Sequence, residues 1–188
     1  MTRIVAGFAG SLSLQVPKSG TRPTSDRVRE AIFSALESRD AIRYARVLDL
    51  FAGSGALGLE AASRGASAVT LVERSSAAAG ICRRNTAAVL KAAPAAAKPA
   101  IDVAGTTVQS FLSASTGEFD LVFVDPPYDL SDEELLHALT TLEPRLANES
   151  IVCVERSART GEPVWPAGLV LDRRKDYGET AVWWLTKP

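Results

Sequence analysis

Arg46-Val-Leu-Asp-Leu-Phe-Ala-Gly-Ser-Gly-Ala-Leu-Gly58 passes from a short apolar run through a glycine loop into a helical pattern that continues to about Arg64. Strand, glycine turn and helix in that order open a parallel crossover unit. The chain then repeats the alternation. Ala68-Val-Thr-Leu-Val-Glu73 is a second apolar run, followed by a helical pattern from about Ser75 to Leu90. Ile101–Gly105 is a weaker strand, with a short helix over Val108–Ser113. Phe119-Asp-Leu-Val-Phe-Val-Asp125 is the clearest strand, because four of its last five residues are apolar. Ser131 and Glu134 stand at capping-box spacing before the next helix, and Ile151–Glu155 is a fifth strand. Strands that are apolar nearly throughout must be covered on both faces, which predicts an α/β fold around a mostly parallel sheet.

Both ends depart from this rhythm. Leu169–Arg173 and Thr180–Leu185 read as strands joined by Lys175–Glu179, a spacing that suits an antiparallel hairpin. With the five earlier strands they make a seven-stranded sheet. At the other end, Arg3–Gly7 and Ser11–Val16 read as two short strands, Pro17–Pro23 as loop, and Thr24 or Ser25 as the cap of a helix with a stripe of Val28, Ile32, Ala35 and Leu36. Arg22 precedes that cap and Arg29 falls off the stripe, so with Arg27 they read as available to a partner. Ala87–Ala100 is rich in Ala and Pro and reads as an exposed loop, and Trp183 and Trp184 read as packing residues.

A chain of 188 residues suffices for one well-buried domain with a modest appendage. No apolar run approaches the roughly 18 residues of a membrane span, and the N-terminus has no signal-peptide pattern. Two cysteines 71 positions apart and a single histidine, His137, predict neither a disulfide framework nor a metal site. A reducing cytoplasm is the expected compartment. Net charge is −1, but residues 1–46 carry +4 and the remainder −5, a distribution that suits a polyanionic partner at the front of the chain.

Gly53-Ser-Gly55-Ala-Leu-Gly58 has the spacing of a dinucleotide loop, and Glu73 follows Gly53 by 20 residues, where a ribose-binding carboxylate is expected. Asp49 discriminates between ligands. A carboxylate four residues before the first glycine would repel a pyrophosphate seated on the helix N-terminus. S-adenosylmethionine has no phosphate and carries a sulfonium and an ammonium, which Asp49 attracts. The alternatives for Asp49 are a purely organising role within the loop and, for the whole motif, a nicotinamide oxidoreductase.

Asp125-Pro-Pro-Tyr128 ends the most apolar strand, on the same sheet edge as the glycine loop. Its residues suit methyl transfer to an exocyclic amine of a nucleic-acid base, whose lone pair is delocalised into the ring. The Asp125 carboxylate and the Pro126 carbonyl can accept the amine's N–H bonds and stabilise the charge developing on nitrogen. Tyr128 offers a flat face for an extruded base. Methylation at carbon would need a cysteine beside the ring, and neither Cys82 nor Cys153 lies in a loop at that edge.

Five blocks resemble the bacterial small-subunit ribosomal RNA guanine-N2 methyltransferases: Arg3–Gly7, Arg22–Glu30, Val47–Gly58, Phe119–Tyr128 and the Lys175-Asp-Tyr177-Gly178 element. The resemblance runs nearly the whole length. It implies a Rossmann-like class I methyltransferase sheet in residues 24–188 and an RNA-contacting β-hairpin extension in residues 1–23. It implies Asp125, Pro126 and Tyr128 as catalytic residues. For S-adenosylmethionine it implies Asp49, Phe51, Gly53, Ser54, Gly55, Gly58, Glu73, Arg74, Thr107 and Val108, although Thr107 stands where an acidic or amide side chain is expected. Arg3, Arg22, Arg27 and Arg29 are the implied RNA contacts, with no metal. The expected partner is small-subunit ribosomal RNA within partly assembled subunits, bound by a monomer. DNA amino-methylation and a non-catalytic RNA-binding assembly factor are the competing functions.

Overall fold

The computed structural model describes residues 2–17 and 25–188. One sheet organises it, in the order β5-β4-β3-β6-β7-β9-β8. Its strands are β3 (Arg46–Leu50), β4 (Ala68–Val72), β5 (Ala100–Ala104), β6 (Phe119–Val124), β7 (Leu146–Ser157), β8 (Val170–Tyr177) and β9 (Thr180–Thr186). The first five are parallel, while β9 inserts antiparallel between β7 and β8. From β3 the chain builds outward through β4 to β5, then returns to the other side of β3 as β6. That reversal opens a crevice at the carboxyl ends of β3 and β6, where open α/β sheets hold their ligands.

Strand side chains alternate between two cores. Val47, Leu121 and Phe123 face one, with Ile32, Phe33 and Leu36 of α1 (Asp26–Glu37), Leu59 of α2 (Ala56–Ser63) and Cys82 of α3 (Ser76–Ala92). Leu48, Leu50, Val122 and Val124 face the other, with Leu112 of α4 (Val108–Ala114) and Leu135, Leu139 and Leu142 of α5 (Asp132–Leu142). Trp184 and Trp183, adjacent on β9, divide between the two cores, and both are buried. Ser131 caps α5, and the box is complete: its hydroxyl accepts from Glu134 N and its N–H donates to Glu134 Oε2. Ser25 caps α1 by accepting from Val28 N.

The elements differ from the sequence expectation mainly in length. The N-terminal strands shrink to β1 (Thr2–Arg3) and β2 (Ser13–Leu14). Their segment is anchored through its backbone instead. Val5 N and Ala6 N donate to the buried Glu60 carboxylate at 2.6 and 3.0 Å, and Ala9 N donates to Ser63 Oγ at 2.9 Å. Gly7 passes Ser63 so closely that a Cβ would lie 1.9 Å from its carbonyl oxygen. Helix α3 continues to Ala92, so the first part of the expected Ala/Pro loop is helical and Pro94 marks where the helix has ended. Conversely, β8 runs through the charged residues expected to be loop, leaving a two-residue turn at Gly178-Glu179 with Gly178 at φ 65°. Charges are accommodated there because β8 is the outer strand, with a register shift between Leu171 and Arg173.

Candidate active site

A cavity of about 1130 Å3 occupies the crevice, and the glycine loop and the Asp125–Tyr128 segment both line it. The loop is shaped by its own backbone. Phe51 adopts φ 63°, which costs a non-glycine residue of order 1–2 kcal/mol and turns the chain off β3. Ala52 N then donates to Val72 O and Gly55 N to Ala52 O. Asn85 of α3 holds the loop from outside, donating from Nδ2 to Ser54 O and to Gln15 O while accepting from Gln15 N. One amide therefore ties the N-terminal segment to the loop.

Glu73, the residue expected to hold a ribose, stands just beyond β4 and lines the cavity. Oε2 accepts from Gly53 N at 2.9 Å and Oε1 from Ser75 N at 2.7 Å. Each oxygen keeps further lone-pair capacity for a ribose hydroxyl.

Asp49 is 1 % exposed and accepts from Gly58 N at 2.8 Å through Oδ2. Burial pushes its carboxyl up to about 7, against the opposing pull of the Gly58 hydrogen bond, and the charges of Asp125 and Glu73 raise it further. Asp49 thus organises the loop and also lines the cavity. Gly58 is the third residue of α2, and its amide, which a phosphate at a helix N-terminus would use, is already engaged by an acidic group. This arrangement opposes a pyrophosphate and accepts a cation. The donor set fits S-adenosylmethionine: carboxylates for its cationic end, Glu73 for ribose, and a glycine backbone that permits close approach.

Several expected site residues turn out to act from beneath or beside the cleft. Gly58 does not line it; a Cβ there would meet Leu71 Cδ2 at 2.4 Å and Val69 Cγ1 at 3.0 Å, so this glycine seats α2 on the sheet. Gly55, at φ 80°, is likewise absent from the wall and begins α2. The Thr107 hydroxyl caps α4 by accepting from Ser110 N, leaving Val108 as the cavity-lining member of that pair. Phe51, Gly53, Ser54, Arg74, Asp125, Pro126 and Tyr128 all line the cavity. Tyr128 is 73 % exposed, open for stacking.

The expected arginine surface needs correction. Arg29 is fully buried, because the neighbouring N-terminal segment and Asp26 enclose it: Nη2 donates to Arg3 O at 2.7 Å and to Asp26 Oδ1 at 2.6 Å. It lines the cavity and is no surface contact. Arg3 and Arg27 are exposed, with Arg3 Nε 3.7 Å from Asp26, and Arg22 lies outside the described residues. Elsewhere the basic front is partly neutralised, by Arg39–Asp172 at 2.6 Å and Arg46–Asp120 at 2.7 Å. Arg84, Arg156 and Thr160 also line the cavity and were not legible as site residues, since no motif surrounds them.

The cysteines offer no nucleophile. Burial pushes the Cys82 thiol up to about 12, and it donates to Gly53 O at 3.1 Å; Cys153 is fully buried and raised further still by desolvation.

Known proteins resemble this chain in sequence and fold. A ribosomal RNA small subunit methyltransferase D of Escherichia coli is 40 % identical over 180 residues, spanning 95 % of this chain and 86 % of that protein. The protein of the same name from Haemophilus influenzae is 35 % identical over 156 residues, spanning 81 % of this chain and 77 % of its own. Among solved structures, a putative methyltransferase of Escherichia coli superposes with a TM-score of 0.83 at 38 % identity, covering 99 % of this chain and 97 % of its own. The fold is accordingly that of a Rossmann-like class I methyltransferase. The family described as conserved hypothetical protein 95 matches residues 2–186, and the chain belongs to that family.

Proposed function

We propose that this protein is an S-adenosylmethionine-dependent ribosomal RNA methyltransferase that acts on the exocyclic N2 of a guanine in small-subunit RNA. One observation carries the chemistry: Asp125 and Pro126 share a single cavity with Asp49, Gly53 and Glu73, so an acceptor amine and a methyl donor meet across it. The kinship with ribosomal RNA small subunit methyltransferase D supports the RNA substrate.

When bound, S-adenosylmethionine supplies an electrophilic methyl carbon whose bond to sulfur breaks as the bond to nitrogen forms. The chain's residues do the rest. Asp125 and the Pro126 carbonyl accept the amine's N–H bonds, turn its lone pair out of the ring plane and stabilise the positive charge arriving on nitrogen. The proton leaves afterwards, so no strong base is required. Tyr128 stacks on the extruded base, and the fixed proline backbone holds acceptor and donor in line. Residues 1–23 and the exposed Arg3 and Arg27 extend the grip to RNA backbone. The protein acts as a monomer on partly assembled subunits.

The test is transfer of radiolabelled methyl to DNA, to free ribosomal RNA and to small subunits lacking the modification, followed by nucleoside analysis. N2-methylguanosine from the subunits is the expected product. Labelled N6-methyladenine or N4-methylcytosine in DNA would overturn the substrate assignment, and no transfer to any acceptor would favour a non-catalytic assembly factor.

A further inference from the structure

The outermost strand carries its charges unequally on its two faces. Arg174 and Asp176 share one face of β8 and neutralise each other, with Nε 2.7 Å from Oδ1. Arg173, Lys175 and Tyr177 alternate onto the other face. There Arg173 lies over the Trp184 ring at 4.5 Å, and the Lys175 ammonium over the Tyr177 ring at 5.5 Å. Neither cation has a carboxylate partner among the described residues, since Asp176 is held by Arg174 and Asp172 by Arg39 at 2.6 Å. Aromatic rings fix both cations in place and leave their charge for another partner. Protecting an exposed strand edge calls for charge, but not for this segregation by face.

The charged face leads to the active site. Val124 of β6 pairs with Val154 of β7, so the next residues, Asp125 and Glu155, continue the row; Glu155 pairs with Val182 of β9, and Val182 with Lys175. Lys175 therefore stands three strand spacings from Asp125, roughly 14 Å. Ser157, Thr180 and Tyr177 form the next row, and Ser157 and Glu155 both line the cavity. Helix α1 covers this same face, because Val182 and Trp184 share its core, and the exposed Arg27 lies in its first turn. The acids along the approach are Glu155, in the cavity wall, and Glu179 at the hairpin turn, which Arg159 holds at 2.6 Å. On the other flank of the crevice the N-terminal segment is fastened to α2 and α3 through Glu60 and Asn85.

We propose that the β8–β9 hairpin is a second RNA-holding element, in which Arg173 and Lys175 bind phosphates of the strand that leaves the target guanine on the side away from the N-terminal segment. The two cations are about 6.7 Å apart along the strand, close to the spacing of successive phosphates in an extended nucleic-acid strand. Tyr177 is a positioning residue that holds the Lys175 ammonium. Contacts of this kind set where the RNA lies, while the choice of base stays with the cavity.

This inference rests on the reading of small-subunit RNA as the substrate, and one binding series separates the two. Fluorescently labelled protein is titrated with small subunits lacking the modification at several salt concentrations. Arg173→Gln combined with Lys175→Gln should reduce the steepness of log affinity against log salt by about 1.4, or 0.7 for each phosphate contact on single-stranded RNA. Binding at low salt should weaken roughly 3-fold to 30-fold. Donor affinity should not change, and the thermal midpoint reports the fold. Lys175→Gln alone, with a change of about 0.7, replaces the pair should loss of the Trp184 stack unfold it, and Lys175→Arg should restore the wild-type slope. A photo-cross-linking phenylalanine analogue in place of Lys175 should join the protein to RNA. An unchanged slope in a folded variant overturns the proposal, as does a cross-link to ribosomal protein alone. Failure of the wild type to bind small subunits would refute the substrate reading and the hairpin's role together.

Discussion

Donor affinity should fall as pH drops below 7, and the reason lies in one carboxyl group. Asp49 is buried, and its carboxyl is raised from 3.8 to about 7 chiefly by desolvation. A sulfonium or ammonium beside it favours the ionised form, so binding must first remove a proton from whatever fraction is protonated. If only the ionised form binds, the apparent dissociation constant carries a factor of one plus ten to the power of pKa minus pH. That factor is about 11 near pH 6 and about 1.1 near pH 8, a roughly tenfold loss of affinity on acidification. The same shift acts oppositely on folding. The folded state of the unliganded protein binds the Asp49 proton more tightly than the unfolded chain, so stability from this group is present below about pH 4 and declines as pH rises toward 7. At about 1.4 kcal/mol per pH unit, the loss is on the order of 4 kcal/mol. Asp49→Asn is the control, since its amide oxygen can still accept from Gly58 N but cannot ionise. Calorimetry of donor binding across this pH range should give the slope in the wild type and a flat, weaker profile in the variant. A wild-type profile that is flat, or a slope that persists in Asp49→Asn, would refute the reasoning.

Asp125→Ala should retain donor affinity within a few-fold and lose on the order of 1000-fold in single-turnover methyl transfer, because the carboxylate acts only as charge develops on nitrogen. Near-normal turnover removes it from the mechanism. Gly58→Ala pits about 1 kcal/mol of helix propensity against overpacking of about 1–3 kcal/mol, and with Leu71 Cδ2 only 2.4 Å from the new methyl the second wins. A urea midpoint that rises would show that α2 can lift off the sheet without penalty. Replacing Arg3 and Arg27 together with Ala should lower the slope of log affinity against log salt for RNA by up to about 2, one per lost phosphate contact. An unchanged slope returns both to an ordinary solvated face.

The sheet was legible because its strands are buried on both faces, and such strands announce themselves as short apolar runs. Phe119–Val124 and Arg46–Leu50 were placed within a residue. Elements stabilised by position were harder to see. Lys175–Tyr177 has the composition of a loop and was expected to be one, yet as part of an outer strand it needs only one paired edge. Arg3–Gly7 read as a strand by composition, but Val5 and Ala6, like Ala9 just beyond, are fixed by backbone bonds to Glu60 and Ser63, far away in sequence. Glycine-loop and Asp125–Tyr128 positions were readable because their chemistry is local. Arg29 was misread for the opposite reason. An arginine off an apolar stripe looks solvated, and only the tertiary fold brings Arg3 O and the cavity to it.

The charged outer strand has a consequence for the protein in crowded solution. An unpaired strand edge is a template for another chain, and two β8 strands could approach antiparallel about a shared Arg174. That register would set Arg174 against Arg174, Arg173 against Lys175, and Asp172 against Asp176. Each of these three charged pairings repels, and the irregularity beside Asp172 spoils the ladder as well. In that register the outermost strand is a poor partner for itself.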